Sequence, residues 1–285
     1  MSAARRFRTP AHVCVVSLGM LALLLGCRGD RQMGRSHPSA MTTASVQAAE
    51  SPPASPSTTL PPLGGEWLVR LPLEGFGDAV VSVPLGTTTA RPVVVALHGR
   101  NDRPEWACGE WRGVTDAAPF ILCPHGVPVE APPGRGLAFA SAAVTQREIE
   151  AGLGALRARF GRYVADGPMI YAGFSLGAIL GVAVVSAHPA RFPIAVLGEG
   201  GQAEWTRDRA AAFARGGGRR VLFICSTASC EAATPRALVI LTQQGIEAKL
   251  VSAGHVGHLV DDRVVSAARA AWPWVLAKDS DSAHP

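Results

Sequence analysis

The sequence predicts an α/β protein with a mostly parallel sheet of about eight strands and helices on both faces. Three observations predict this class. Short apolar runs alternate with longer segments of helical apolar spacing from residue 63 onward. Most of these runs are apolar at consecutive positions, as expected for strands buried on both faces. Helical segments between them provide the crossover connections that parallel strands require.

The first two predicted strands differ from the others. The segments 66–73 and 78–86 alternate polar and apolar residues with a period of two, which indicates an antiparallel pair. Six more strands then alternate with six helices, one of which ends in the glycines 216–218. The six strands are predicted at 91–99, 120–126, 168–174, 193–201, 219–225 and 246–254. The six helices are predicted at 104–118, 141–161, 175–192, 202–218, 234–245 and 261–277.

The composition is typical of a globular protein. The chain has 285 residues, 48% of them hydrophobic, which suffices for one larger domain or two small ones. The formal net charge is +5, and the N-terminal segment contributes Arg5, Arg6 and Arg8 to it. The sequence has no basic stripe with interleaved aromatic residues, so we expect no nucleic-acid partner.

The N-terminus has the pattern of an export signal. Basic residues precede the apolar run 13–26, which is shorter than the about 20 residues that a membrane span needs. The run leads into "LLGC", which resembles the lipobox of bacterial lipoproteins. This resemblance implies a signal peptide over 1–26 and lipidation of Cys27. The exported protein would then be anchored to the membrane on the periplasmic or cell-surface face of the envelope. An ordinary secretory signal with an incidental cysteine is the alternative.

The segment 27–62 is predicted to be a flexible tether. It is rich in serine, threonine, proline and alanine and has few large apolar residues. Such a segment cannot offset the conformational entropy that ordering removes. The folded domain is predicted over 63–278, and a disordered tail over 279–285.

Four cysteines fall in the predicted domain: Cys108, Cys123, Cys225 and Cys230. An even number in an exported protein predicts two disulfides. Three pairings are possible, and proximity along the chain favours Cys108–Cys123 and Cys225–Cys230. Metal binding is the alternative, but "CSTASC" has no partnering histidine and no second close cysteine pair. We therefore predict no metal.

The segment "GFSLG", residues 173–177, lies between a predicted strand and a predicted helix. A buried strand that reverses sharply into a helix forces the residue at the apex into an unfavourable backbone conformation. Gly173 and Gly177 have no Cβ that would collide in such a turn. The hydroxyl of Ser175 would be exposed there, beside the N–H of Leu176 at a helix N-terminus that favours negative charge. The turn thus predicts a nucleophile and half of an oxyanion hole. A glycine-lined packing turn is the alternative.

Four features together resemble the α/β-hydrolase superfamily. They are the two leading strands, "ALHG" closing the third strand, "GFSLG" after the fifth and "GH" after the eighth. The resemblance covers nearly the whole predicted domain. It is to small single-domain esterases, including polyhydroxybutyrate-depolymerase-like and carboxylesterase-like members. It implies an α/β-hydrolase fold and a serine hydrolase without cofactor or metal. No predicted connection exceeds about fifteen residues, which excludes a large lid domain.

The resemblance also implies partners for Ser175. The N–H of Arg100 would be the second oxyanion donor, and we interpret His98 as the residue that orients its loop. The base would follow the last strand, where "SAGHVGHLVDD" offers two histidines. His258 is favoured because it follows a glycine just before the last helix, and His255 is the second choice.

The acid departs from the resembling pattern. Most members carry an aspartate after the seventh strand, but this region reads "FICSTASCEAATP", with Ser229 in the aspartate's place. Glu231 lies two residues further on, and Glu199 ends the sixth strand, so both stay open as candidates. In a third alternative neither serves, and a backbone carbonyl or Ser229 orients the histidine.

We therefore predict a cell-envelope serine hydrolase that cleaves a carboxylic ester through an acyl-enzyme on Ser175. Its site would be shallow and open to small or extended ester substrates, with Trp106 and Trp111 either lining it or packed in the core. One alternative is a peptidase or amidase that uses the same residues. Another is a non-catalytic, lipid-anchored protein of this fold, which the missing aspartate motivates. The sequence predicts no particular oligomeric state.

Overall fold

The computed structural model of the protein describes residues 59–129 and 136–277. The predicted signal peptide, Cys27, most of the tether and the tail at 279–285 lie outside the described residues. Leu60 is already buried, and its N–H donates to the carbonyl of Thr88 at 2.8 Å. The packed chain therefore includes a few residues before Leu63.

Ten strands occur within the described residues, and eight of them form the main sheet. The ten are β1 (Leu68–Leu71), β2 (Ala79–Ser82), β3 (Val93–Leu97), β4 (Phe120–Cys123), β5 (Val127–Pro128), β6 (Leu137–Ala138), β7 (Ile170–Phe174), β8 (Ile194–Gly198), β9 (Arg220–Cys225) and β10 (Glu247–Ser252). The main sheet has the order β1-β2-β4-β3-β7-β8-β9-β10. Strands β5 and β6 form a separate antiparallel ribbon.

The pairing of the main sheet confirms the predicted fold class. Strand β2 pairs in antiparallel with β1 and β4, and all other neighbours are parallel. In β3 all five residues are buried, and they alternate between two apolar clusters on opposite faces: Val93, Val95 and Leu97 face one, Val94 and Ala96 the other. Both faces of the sheet are therefore covered.

Six α-helices cover these faces within the part of the chain that the structure describes. They are α1 (Pro104–Val114), α2 (Ala142–Phe160), α3 (Leu176–Ala187), α4 (Arg207–Arg215), α5 (Ala228–Thr242) and α6 (Asp262–Leu276). Helices α1 and α6 contribute to one apolar cluster, and α2 to α5 contribute to the other. No described helix is both long enough and apolar enough to cross a membrane.

Two helices begin elsewhere than the sequence pattern predicts, and their N-caps give the reason. The Thr227 hydroxyl accepts from the N–H of Cys230 at 3.2 Å, so α5 begins at 228 rather than 234. Pro235 lies inside this helix. The Thr206 hydroxyl accepts from the N–H of Arg209 at 3.2 Å, so α4 begins at 207 rather than 202.

Both disulfides that proximity favoured are present. Cys108–Cys123 joins α1 to β4, and Cys225–Cys230 joins the end of β9 to the first turn of α5. Disulfides are typical of proteins that fold in an oxidising compartment.

Candidate active site

Ser175 occupies a strained turn between β7 and α3. Its backbone has φ 51° and ψ −114°, a left-handed conformation that non-glycine residues rarely adopt. A Cβ on Gly173 would lie 2.7 Å from the carbonyl carbon of Gly177, and one on Gly177 would lie 2.5 Å from the carbonyl oxygen of Leu97. Only glycines therefore fit on either side of the serine. Ser175 itself is half-buried.

His258 contacts this serine directly. Its Nε2 atom lies 2.8 Å from the Oγ of Ser175, although 83 positions separate the two residues. The imidazole lies against the ring of Phe174, with 5.3 Å between the ring centroids. The side chain is 54% exposed, so its face toward solvent is open to an incoming molecule.

Glu199 contacts the opposite edge of the imidazole. Its Oε2 atom lies 3.2 Å from the Nδ1 of His258, a distance at which Nδ1–H donates to the carboxylate. Glu199 directly follows β8 and has φ 49°, a second left-handed residue at this edge of the sheet. Its side chain is 3% exposed, which shields the interaction from water.

The carboxylate of Glu199 is satisfied by the segment that follows β9. Its Oε1 accepts from the backbone N–H groups of Ser226 and Thr227, and its Oε2 accepts from the Thr227 hydroxyl at 2.8 Å. Hydrogen bonds of this kind make it possible to bury a carboxylate without a basic partner. These contacts fix the carboxylate where it meets His258.

The other predicted pair of side chains meets elsewhere. Glu231 contacts His255 at 3.2 Å and also accepts from the Ser252 hydroxyl, on an exposed part of the surface. Hydrogen bonds from Ser252 and then His255 hold the pKa of Glu231 below its usual range. Ser229 lies beside the Thr227 hydroxyl, at 3.1 Å. The structure thus brings Glu199 rather than Glu231 to His258.

The loop after β3 lies on the other side of the serine. A Cβ on Gly99 would be 3.3 Å from the Cβ of Ser175, so this loop approaches Ser175 closely. Arg100 lines the same cleft as Ser175. Leu176 is the first residue of α3, where a backbone N–H has no carbonyl of a preceding helical turn to bond.

His98 hydrogen-bonds to this loop. It is buried, with Nδ1 2.7 Å from the carbonyl of Gly99 and Nε2 3.1 Å from the carbonyl of His125. Glu148 in turn accepts from the backbone N–H groups of His125 and Gly126 at 2.6 and 2.8 Å. Burial raises the pKa of Glu148, and these two hydrogen bonds oppose that change. Such contacts suit a residue that orients a loop.

An open cleft of about 280 Å³ borders Ser175 and His258. Trp106 lines it and is 58% exposed, whereas Trp111 is 8% exposed and packs against Trp272 in the core. The sequence left open whether these tryptophans line the site or pack in the core; of the two, Trp106 borders this cleft and Trp111 does not.

Glu110 also lines the cleft and was not singled out from the sequence. It borders both the serine cleft and a small apolar chamber between α1 and α6. Burial, and to a lesser degree the charge of Asp102, raises the pKa of Glu110 to about 8. The carboxyl is therefore largely protonated at neutral pH.

Ser226 and Thr227 are the other residues that sequence reasoning missed. The signal was a serine and a threonine between a strand and a helix, a typical N-cap pattern. The pattern identifies Thr227 as a cap of α5. It does not indicate that the same residues bind a carboxylate from the end of β8, because that contact depends on the packing of three separate segments.

No protein-family model and no curated protein matches the sequence. Several solved structures are similar to the described domain at low sequence identity. The Thermus thermophilus protein TT1662 is 19% identical with a TM-score of 0.53, over 74% of this chain and 98% of its own. A dienelactone hydrolase-like promiscuous phosphotriesterase from metagenomic libraries is 14% identical with a TM-score of 0.53, over 72% and 94%. A Bacillus cereus carboxylesterase is 16% identical with a TM-score of 0.50, over 71% and 94%.

These likenesses agree with the strand order, in which an antiparallel pair precedes the parallel strands and Ser175 follows the fifth strand of the main sheet. At this level of identity, the likeness concerns the fold. The chain therefore has the α/β-hydrolase fold.

Proposed function

We propose that the protein is a serine hydrolase that cleaves carboxylic esters through a covalent acyl-enzyme on Ser175. The observation that carries the proposal is an unbroken line of contacts from a hydroxyl through an imidazole to a buried carboxylate. Oγ of Ser175 lies 2.8 Å from Nε2 of His258, and Nδ1 of His258 lies 3.2 Å from Glu199. The first distance suits proton transfer from the serine to the imidazole, and the second suits a hydrogen bond that stabilises the protonated imidazole.

Acylation follows from this geometry. Oγ of Ser175 attacks the acyl carbonyl carbon while its proton passes to Nε2 of His258. The tetrahedral intermediate then collapses, the bond from the acyl carbon to the alcohol oxygen breaks, and the alcohol leaves with the proton from His258. Glu199 stabilises the imidazolium that exists between these two transfers and keeps Nδ1 protonated.

Deacylation repeats the same attack and proton transfers, with water in place of Ser175 as the attacking group. His258 takes a proton from water, whose oxygen attacks the acyl carbon of the ester formed on Ser175. The bond to Oγ breaks, Ser175 recovers the proton, and a carboxylic acid is released. The exposed face of His258 supports this step because water can reach it from the open cleft.

The developing oxyanion would be held by the backbone N–H groups of Leu176 and Arg100. Two features support these donors: Leu176 begins α3, and the loop that carries Arg100 approaches Ser175 closely through Gly99. Each such donor is worth roughly a hundred-fold or more in turnover, because it meets charge that develops only in the transition state.

The buried Glu199 favours catalysis over a purely binding role. The absence of an aspartate after β9 motivated the non-catalytic alternative, and Glu199 supplies a carboxylate at the same edge of the imidazole. The names of similar solved structures, a carboxylesterase and a phosphotriesterase among them, also support a hydrolase. An ester rather than an amide is proposed because a carboxylesterase is among the similar solved structures.

Turnover assays test this function. Purified residues 59–285 should hydrolyse p-nitrophenyl esters of short acyl chains, and Ser175→Ala should lose that activity while remaining folded by circular dichroism. The matched p-nitroanilides should react far more slowly. Preference for the anilides would favour the peptidase or amidase alternative, and equal rates for wild type and Ser175→Ala would reject the proposal.

We also propose that the domain is exported and held on the cell envelope through a lipid on Cys27, with 27–62 as its tether. The two disulfides support export, since such bonds form in oxidising compartments. The anchor itself is proposed from the lipobox-like segment of the sequence.

A further inference from the structure

The segment between Cys225 and Cys230 holds both the acid and the base of the proposed triad. On the acid side, the N–H groups of Ser226 and Thr227 donate to Glu199, as does the Thr227 hydroxyl at 2.8 Å. These contacts account for all the hydrogen bonds of the Glu199 side chain in the described structure except the one to His258.

On the side of His258, Ser226 makes two hydrogen bonds to Gly257, the residue just before the histidine. Its hydroxyl donates to the carbonyl of Gly257 at 2.7 Å, and its own carbonyl accepts from the N–H of Gly257 at 3.1 Å. A shift of Ser226 would therefore disturb the contacts of both the Glu199 carboxylate and the segment that carries His258.

A disulfide closes this segment at both ends. Cys225 ends β9, Cys230 lies in the first turn of α5, and both are buried. A side-chain oxygen of Glu199 and the two sulfur atoms all lie within 4.8 Å of one another. Nε2 of Gln202 also lies 2.9 Å from the Sγ of Cys230. The bridge thus lies close to the carboxylate of Glu199.

The two disulfides differ in what they can do. The stabilisation gained from closing a loop grows with loop length, and the separation is only 5 for Cys225–Cys230 against 15 for Cys108–Cys123. A short bridge restricts local geometry more than it stabilises the fold. Because this bridge lies beside Glu199, the restriction acts on the residues that hydrogen-bond to that carboxylate.

We propose that the Cys225–Cys230 disulfide is a positioning element for catalysis: it holds Ser226 and Thr227 in the geometry that aligns Glu199 with His258. The inference rests on the proposed function and extends it, because it makes efficient turnover depend on oxidation of one cysteine pair.

The test compares two ways of removing this disulfide with removal of the other one. Cys230→Ala leaves Cys225 packed in the core and is the milder variant, and C225A/C230A removes both sulfurs. Each should lower kcat by about ten- to hundred-fold with little change in KM, because a small misplacement of catalytic groups has effects of this size. The matched control C108A/C123A should keep kcat within about two-fold while its melting temperature falls.

A double-mutant cycle separates positioning from general damage. If the disulfide acts through Glu199, adding Cys230→Ala to Glu199→Gln should cause almost no further loss of kcat. Fully additive losses, or a kcat of both disulfide variants within about two-fold of wild type, would overturn the inference.

A second readout does not depend on turnover. In protein labelled with ¹⁵N-histidine, the NMR signal of the His258 Nδ1 proton should move upfield in Cys230→Ala, as it should in Glu199→Gln, and stay in place in C108A/C123A. If no ester is turned over but this pattern is seen, the proposed function fails, and the part of the inference that concerns the alignment of Glu199 with His258 stands. An unchanged signal in Cys230→Ala overturns the inference even if esters are cleaved.

Discussion

The carboxylate of Glu199 lies 3.2 Å from Nδ1 of His258, from a position directly after β8. The segment after β9 carries no carboxylate that reaches the imidazole, and instead Ser226 and Thr227 donate hydrogen bonds to Glu199. Two neighbouring strands thus place one carboxylate beside His258: Glu199 follows the first strand, and residues after the second hydrogen-bond to it.

Replacing Glu199 by glutamine should therefore impair catalysis severely. The amide cannot stabilise the imidazolium and can stabilise the wrong tautomer of His258, so kcat/KM should fall roughly a thousand-fold. Glu231→Gln is the matched control. Glu231 is paired with His255 on the exposed surface, and its loss should leave kcat/KM within about two-fold. Steady-state ester hydrolysis measures both, and the reverse ranking of the two variants would contradict the assignment.

The turn at Ser175 should tolerate no side chain on its flanking glycines. In Gly177→Ala the new Cβ would lie 2.5 Å from the carbonyl oxygen of Leu97, a backbone atom that cannot move aside cheaply. We expect a loss of about 2 kcal/mol or more in the free energy of unfolding, measured by urea denaturation. In the control Gly154→Ala, an open helical position, stability should stay unchanged or rise by about 0.5–1 kcal/mol. Equal stability of the two variants would show that the turn is not tightly packed.

Glu110 should make stability depend on pH. Its pKa is raised by burial to about 8 from an ordinary value of 4.5. Between these pH values the folded state binds more protons than the unfolded chain, so stability falls as pH rises. The contribution is fully present below pH 4.5 and is gone above about pH 8.

Denaturation between pH 5 and pH 9 measures this effect. Over this range the free energy of unfolding of wild type should fall by on the order of 3 kcal/mol more than that of Glu110→Gln. This figure is reduced for the partial exposure of the side chain. Parallel curves for the two proteins would mean that Glu110 is ionised throughout and is better solvated than its position between the cleft and the apolar chamber indicates.

Lipidation of Cys27 is open to a direct check in a bacterial host. Wild type should fractionate with membranes and enter the detergent phase on Triton X-114 partition, because a lipidated N-terminal cysteine anchors the chain. Cys27→Ala should release the protein in soluble form or leave its signal uncleaved. A soluble, correctly processed wild type would instead support an ordinary secretory signal.

The elements of the fold were predictable because their signals are local. The apolar run of each strand and the glycines around Ser175 can each be recognised within a stretch of a few residues. The predicted start of helix α5 at 234 was wrong because the helix begins directly after its Thr227 cap, at Ala228.

The carboxylate partner of His258 was the part of the candidate site that the sequence left open. Glu199 and Glu231 are equally plausible by spacing, and the choice depends on how the chain after β9 packs against the end of β8. Sequence distance carries no information on that packing. His258 was easier to choose because it follows Gly257 and lies shortly before the start of α6.

Covalent labelling tests the central claim most directly. Incubation with a fluorophosphonate should add one phosphonyl group, and peptide mass spectrometry should locate it on Ser175. Labelling should slow strongly in His258→Ala, which lacks the imidazole whose Nε2 lies 2.8 Å from the Ser175 hydroxyl, and proceed normally in His255→Ala. An unlabelled wild-type protein that is folded and oxidised, or a label on any other residue, would contradict the account.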